Sequence, residues 1–148
     1  MSRCYMISGH RDITPEEFKR YYAGRIEKAL WDTNSRIVVG DYYGVDAMAQ
    51  QHIKDNWGDE PNIMNRVVVF HMFDKPRNNA GFHTIGGFQT DEDRDSAMTD
   101  VSDFDILWVR PGKENSGTDQ NRLRRLHPNN TYLDECRISN RNIVNRGK

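Results

Sequence analysis

Three short stretches of this chain hold residue types suited to gripping an oxyanion and a sugar. The first is Gly9-His10-Arg11-Asp12. An arginine there can clamp a phosphate with parallel N–H donors, and the histidine is a candidate acid, base or donor. The second is Gly40-Asp41-Tyr42-Tyr43-Gly44-Val45-Asp46. Gly44 lets a ligand approach the main chain, and the tyrosines offer flat faces that end in a phenol. Asp46 can accept hydrogen bonds from sugar hydroxyls, or simply suit the start of a helix. The third is Asn115-Ser116-Gly117-Thr118-Asp119. Hydroxyls and main-chain amides just ahead of a helix hold phosphate without a lysine. Each stretch also has a plain structural reading. Arg11 can pair with Asp12 or a helix acid, Tyr42 and Tyr43 can be packing, and Ser116 or Thr118 can be an ordinary helix cap.

The rest of the chain says how these stretches could meet. Cys4 to Ser8 is a short apolar strand ending at Gly9. Thr14-Pro15-Glu16-Glu17 opens a helix with a capping box and a proline in its first turn. Phe18, Tyr21, Tyr22, Arg25, Ile26, Ala29 and Leu30 continue that helix to about Trp31. Arg36 to Gly40 is a second strand, Val45 to about Trp57 a helix, and Val67 to Phe73 a third strand. Asp91 to Val101 reads as helix, Phe104 to Val109 as strand, Asp119 to Leu126 as helix, and Thr131 to Leu133 as a short last strand. Asp74 to Thr90 is punctuated by Gly and Pro and reads as a long loop, either a lid or a contact for a partner.

Apolar strands alternating with helices predict an α/β domain. Its mostly parallel sheet of four to five strands is covered on both faces. Ligands of such sheets bind beyond the C-terminal strand ends, and all three stretches follow strands. The domain spans residues 1–133, with a polar tail over 134–148.

Bulk properties bound the function. The chain has 148 residues, with 21 basic and 22 acidic side chains and a formal net charge of -1. No overall basic field exists to hold a nucleic-acid backbone. Arg122, Arg124 and Arg125 form only a local run on a helix. A mean hydropathy of -0.89 is polar for a globular protein, yet six Phe, six Tyr and three Trp argue against disorder. Cys4 and Cys136 make no metal-binding spacing, and no metal or cofactor is expected. The first residues lack the apolar run of a signal peptide, and no stretch reaches membrane-spanning length. The expectation is a soluble, cytoplasmic protein.

Taken in order and spacing, Gly9-x-Arg11, "GDYYGVDAMA", "RDSAM" ahead of "SDFDILW", and "NSGT" resemble the motifs of the SLOG superfamily. This Rossmann-like group includes the Lonely Guy phosphoribohydrolases and the DprA-type nucleic-acid binders. The chain looks closest to the small YAcAr-like branch. The likeness covers roughly Cys4 to Leu126. It implies a Rossmann-like three-layer domain with a nucleotide or nucleotide-derived ligand across the strand ends. It also implies that Gly9, Arg11, Gly40, Gly44, Asp46, Arg94, Met98, Ser116, Gly117 and Thr118 stand at the ligand. The chain departs from the pattern in three places. Asp41 stands where a second glycine is usual, and Asp95 where Asn is common. Thr118 is followed by Asp119, Gln120 and Asn121 rather than by the glutamate of the Lonely Guy enzymes.

The expected function is therefore a nucleotide-binding domain acting as sensor or carrier. Two alternatives stand beside it. One is an N-glycosidic hydrolase or transferase acting on nucleoside 5'-monophosphates; the other is a nucleic-acid binder. Glycosidic chemistry needs a carboxylate near the anomeric carbon, and Asp46, Asp41 and Asp119 are the candidates. His10, Arg11, Tyr42 and Tyr43 complete the expected ligand set. A homodimer is also expected, through Tyr21 and Tyr22 or through Phe82, His83 and Phe88, with no membrane partner.

Overall fold

Strand β1 (Cys4–Ile7) and strand β2 (Arg36–Gly40) show why the sheet is covered on both sides. Alternate residues of a strand face opposite ways. Ile7, Ile37 and Val39 enter the larger core, while Met6 and Val38 enter a smaller one with Phe70 and Met98. In the computed structural model, which describes residues 2–126, β3 (Val67–Met72), β4 (His83–Phe88) and β5 (Phe104–Ile106) complete the sheet. The order is β4-β3-β2-β1-β5 and every pairing is parallel. The chain steps from β1 outward to β4, then returns to lay β5 on the other side of β1. This reversal opens a crevice beside β1, the usual ligand position in such sheets. The fold is the expected Rossmann-like three-layer α/β domain. Among the described residues, no helix is long and apolar enough to cross a membrane.

The first helical run has three parts: α1 (Pro15–Phe18), a π turn (Lys19–Ala23) and α2 (Gly24–Trp31). The capping box forms as expected: Thr14 Oγ1 accepts from Glu17 N at 3.1 Å, and Glu17 Oε1 accepts from Thr14 N at 3.0 Å. The π turn, a form that recurs at functional sites, carries Tyr22 fully into the core. Its hydroxyl donates to Ser8 O at 2.8 Å and accepts from Trp108 N at 2.9 Å. Burial raises the Tyr22 pKa, so the hydroxyl keeps the proton it donates. One phenol thus bridges the chain leaving β1 to the chain leaving β5. Beyond Ile106 the backbone turns away from the ladder, because Trp108 N serves Tyr22 and Arg110 N serves His10. The expected strand to Val109 therefore stops three residues early.

The remaining α-helices are α3 (Val45–Trp57), α4 (Asp91–Val101) and α5 (Gly117–Leu126), with a 3-10 turn over Ile63–Asn65 ahead of β3. The long loop expected over Asp74 to Thr90 needs correction, since His83–Phe88 is a strand on the sheet edge. Its side chains are mostly exposed, and it carries two glycines. A Cβ at Gly86 would overlap the His71 ring. The preceding crossover, residues 73–82, contains no helix. It is held by Gln50 Oε1 accepting from Ala80 N at 2.8 Å, by Lys54 Nζ donating to Ala80 O at 2.8 Å, and by Phe82 in the core. Tyr22 and Phe82, named above for a partner, are buried within this chain. The expected strand Thr131 to Leu133, Cys136 and the tail lie outside the described residues.

Removing the bridging hydroxyl should loosen both strand ends. Tyr22→Phe leaves Ser8 O and Trp108 N without their partner. It should cost about 1–3 kcal/mol, measured as a lower urea midpoint with an unchanged slope.

Candidate functional site

The loop after β1 rests directly on the start of α3, and glycines make this contact possible. Val45 N donates to His10 O at 3.2 Å. A Cβ on Gly9 would meet the Val45 side chain and would lie 2.5 Å from the Tyr22 hydroxyl. Gly44 has φ +75°, and a Cβ there would overlap His10 O. A third close approach lies at the end of β2, where a Cβ on Gly40 would lie 2.5 Å from Asp46 Oδ2 and 3.1 Å from Arg94 Cζ.

These contacts frame a cavity of about 260 Å³ at the C-terminal strand ends. Ser8, Gly9, His10 and Arg11 line it from β1, and Tyr42 and Asp46 from the turn after β2. Helix α4 contributes Asp91, Arg94, Asp95 and Met98, and the start of α5 contributes Ser116, Gly117, Thr118 and Asn121. The three stretches singled out in the sequence therefore share one cavity.

Arg94 organises its charge. The guanidinium is buried and donates to Asp41 Oδ1 at 2.9 Å and to Asp95 Oδ1 at 2.9 Å, with Asp91 Oδ1 at 3.0 Å. Burial works against this cation, but Asp95, Asp46 and Asp91 outweigh it and raise its pKa. Asp95 Oδ2 also accepts from Asn121 Nδ2 at 3.1 Å, joining α4 to α5.

The two aspartates of the second stretch diverge. Burial opposes ionisation of Asp41, yet Arg77 bonds it through side chain and main-chain N–H and, with Arg94, holds its carboxyl below the usual range. Burial pushes Asp46 up to about 7; Arg94 and the Tyr42 N–H oppose this, and Asp95 and Asp41 add to it. Its Oδ2 accepts from Tyr42 N at 3.1 Å.

Arg11 does not pair with Asp12, which bonds Arg110 instead at 2.9 Å. Arg11 is exposed, donates to the Tyr42 hydroxyl at 3.3 Å, and lies 5.7 Å from the centre of that ring. His10 is buried, and its Nε2 accepts from Arg110 N at 2.9 Å. A main-chain N–H only donates, so the proton of a neutral His10 sits on Nδ1. Burial and the neighbouring Arg110 lower its pKa and keep it neutral. Ser116 is the helix cap: its Oγ accepts from Asp119 N at 3.2 Å. The amides of Gly117 and Thr118 belong to the first turn, which a helix leaves without intrahelical partners.

Several expected residues stand apart from the cavity. Asp41 is fully buried among its arginines. Asp119 accepts from Asn115 N at 2.9 Å and from Arg122 Nε at 2.8 Å, and so closes the turn ahead of α5. Tyr43 is half exposed, and its ring lies tilted against that of Tyr42 at 5.4 Å. Gly40 and Gly44 supply clearance rather than lining. Asp91 and Asn121 were not singled out, though each lies one turn from a residue that was. Arg77 gave no signal in sequence, because its partner Asp41 is 36 residues away. Among the described residues, no three His, Cys, Asp or Glu side chains are grouped to hold a metal ion.

No family model, no curated protein and no solved structure matches the chain. The chemistry of the site must be read from its own side chains. The cavity combines donors for an anion (Arg11 and the α5 amides) with acceptors for hydroxyls (Asp46, Asp91 and Asp95). One further group is notable: the Ser8 hydroxyl, 6% exposed, has no hydrogen-bond partner among the described residues.

Asp46 should make stability depend on pH in a defined direction. Its folded pKa lies above the ordinary 3.8. Its contribution is therefore complete below about pH 4 and is lost as pH rises through about 7. Asn cannot ionise, so Asp46→Asn should gain stability relative to wild type across this window, by roughly 4 kcal/mol, and level off above it. Urea denaturation of both proteins at pH 4, 5.5, 7 and 8 (about one pH unit or more apart) tests this. A flat difference would return Asp46 to an ordinary ionised carboxylate.

Proposed function

We propose that the chain is a nucleotide-binding domain whose cavity takes a nucleotide or nucleotide-derived ligand, as a sensor or carrier. The supporting observation is the joining of anion donors and hydroxyl acceptors in one cavity, built from four distant segments at the switch point of the sheet. Phosphate sits on the Gly117 and Thr118 amides and the Thr118 hydroxyl, with Arg11 over it. The pentose sits against Asp46 and Asp95, and the unpartnered Ser8 hydroxyl gains a partner. A volume of about 260 Å³ suits a sugar phosphate, below the usual range for larger ligands, so the base lies outward beside Tyr42.

The binding reading is tested with a panel of nucleoside 5'-monophosphates, followed by thermal shift and calorimetry. At least one member should bind and raise Tm. Arg11→Ala combined with Thr118→Ala should then weaken it tenfold or more. Unchanged affinity in the double variant would remove the phosphate site.

One observation favours a second reading, hydrolysis or transfer at the N-glycosidic bond. Asp46 lines the cavity with a pKa of about 7, so protonated and ionised forms coexist at neutral pH, as acid–base chemistry requires. Of the three carboxylates expected from sequence, Asp41 and Asp119 do not line the cavity and Asp46 does; Asp91 and Asp95 also line it, but both are paired with Arg94. The basic run on α5 gives no comparable support to nucleic-acid binding: Arg122 pairs with Asp119, and Arg125 with Asp105. The same panel is assayed for free base and ribose 5-phosphate. Under this second reading product forms and Asp46→Asn abolishes it, whereas binding without product favours the sensor or carrier.

A further inference from the structure

We propose a second binding site, at the opposite edge of the sheet from the cavity, that takes an arginine side chain presented by a partner protein. Helices α2 and α3 each end on a tryptophan, Trp31 and Trp57. Each precedes the start of a strand, so this corner lies at the N-terminal strand edge. The two indole rings stand 6.0 Å apart at 85°. Trp31 is 75% exposed, which is unusual for the largest apolar side chain.

The corner is chemically one-sided. It opens onto a concavity of about 530 Å³ lined by both tryptophans with Glu27, Asp59, Glu60, Asn56 and Pro61, and by no lysine or arginine. The two helix ends add partial negative charge from their terminal carbonyls. Among the described residues, the arginines that lie over aromatic rings sit on Tyr21, Tyr42 and Trp108, not on Trp31 or Trp57. Glu27 Oε2 accepts from Trp57 Nε1 at 3.0 Å and contacts His52 Nε2 at 2.8 Å, which fixes the Trp57 ring by its edge. Indole faces set at right angles beside carboxylates attract a cation through the ring quadrupole and through charge. A guanidinium fits this pair best: it stacks flat on one ring and donates in parallel to a carboxylate. The breadth of the concavity suits a peptide segment carrying that side chain better than a small free ion.

The test uses the full chain labelled with 15N and a short capped peptide with one central arginine. The chain has three tryptophans, so three indole N–H signals report separately. Trp31 and Trp57 should shift saturably, with millimolar affinity. Trp108, at the cavity end beside His10, should stay still. The same peptide with citrulline keeps the shape and loses the charge, and should bind at least fivefold more weakly. Trp31→Ala, at an exposed position, should weaken the arginine peptide by a similar factor. Absent or non-saturating shifts would overturn the proposal. Equal binding of the citrulline peptide, or tryptophan signals that move with protein concentration alone, would do so as well, the last showing self-association. A nucleotide bound in the cavity would instead move Trp108, so each reading can fail by itself.

Discussion

Arg94 is a cation at 4% exposure, and a buried charge is tolerated only where opposite charge and hydrogen bonds surround it. Here the neutralising groups come from the end of β2 through Asp41 and from α4 itself through Asp91 and Asp95. Asp41 in turn draws in Arg77 from the crossover ahead of β4. The result is a charge network that ties strand end, helix and crossover together beneath the cavity. The shape of the cavity floor follows from it. The Gly40 clearance exists because Asp46 and Arg94 must both approach the β2 backbone.

The same network separates two carboxylates that stand five residues apart. Asp41 is ringed by guanidinium and amide donors and remains ionised. Asp46 meets one main-chain N–H and the field of an arginine already committed to other acids, so burial dominates. Composition could not foretell this division. An aspartate's protonation is set by what surrounds it in space, and Arg77 reaches Asp41 across 36 residues.

Much of the frame was legible because burial leaves continuous or periodic apolar patterns. Arg36–Gly40, Val45–Trp57 and Asp91–Val101 form with the boundaries read from sequence. The convergence of Gly9–Arg11, Asp46 and Ser116–Thr118 followed from topology, since loops after parallel strands share an edge. Strand β4 was hidden because an edge strand need not be apolar, and His83-Thr84-Ile85-Gly86-Gly87-Phe88 has neither alternation nor a continuous apolar run. The π turn was hidden because one extra residue per turn over a short segment barely disturbs a helical period. Asp119 was read as a catalytic candidate when its carboxylate instead satisfies the amide of Asn115, a residue at φ +71°.

Helix α3 begins with Val45 and Asp46 beside the loop of Gly9–Arg11 and ends at Trp57. At 13 residues it is a strut about 20 Å long, anchored along its length by Ala49 and Ile53 in the core. Such a strut, pinned along its middle, works as a spacer: it sets how far Asp46 stands from Trp57 and keeps the two ends of the domain at a constant separation.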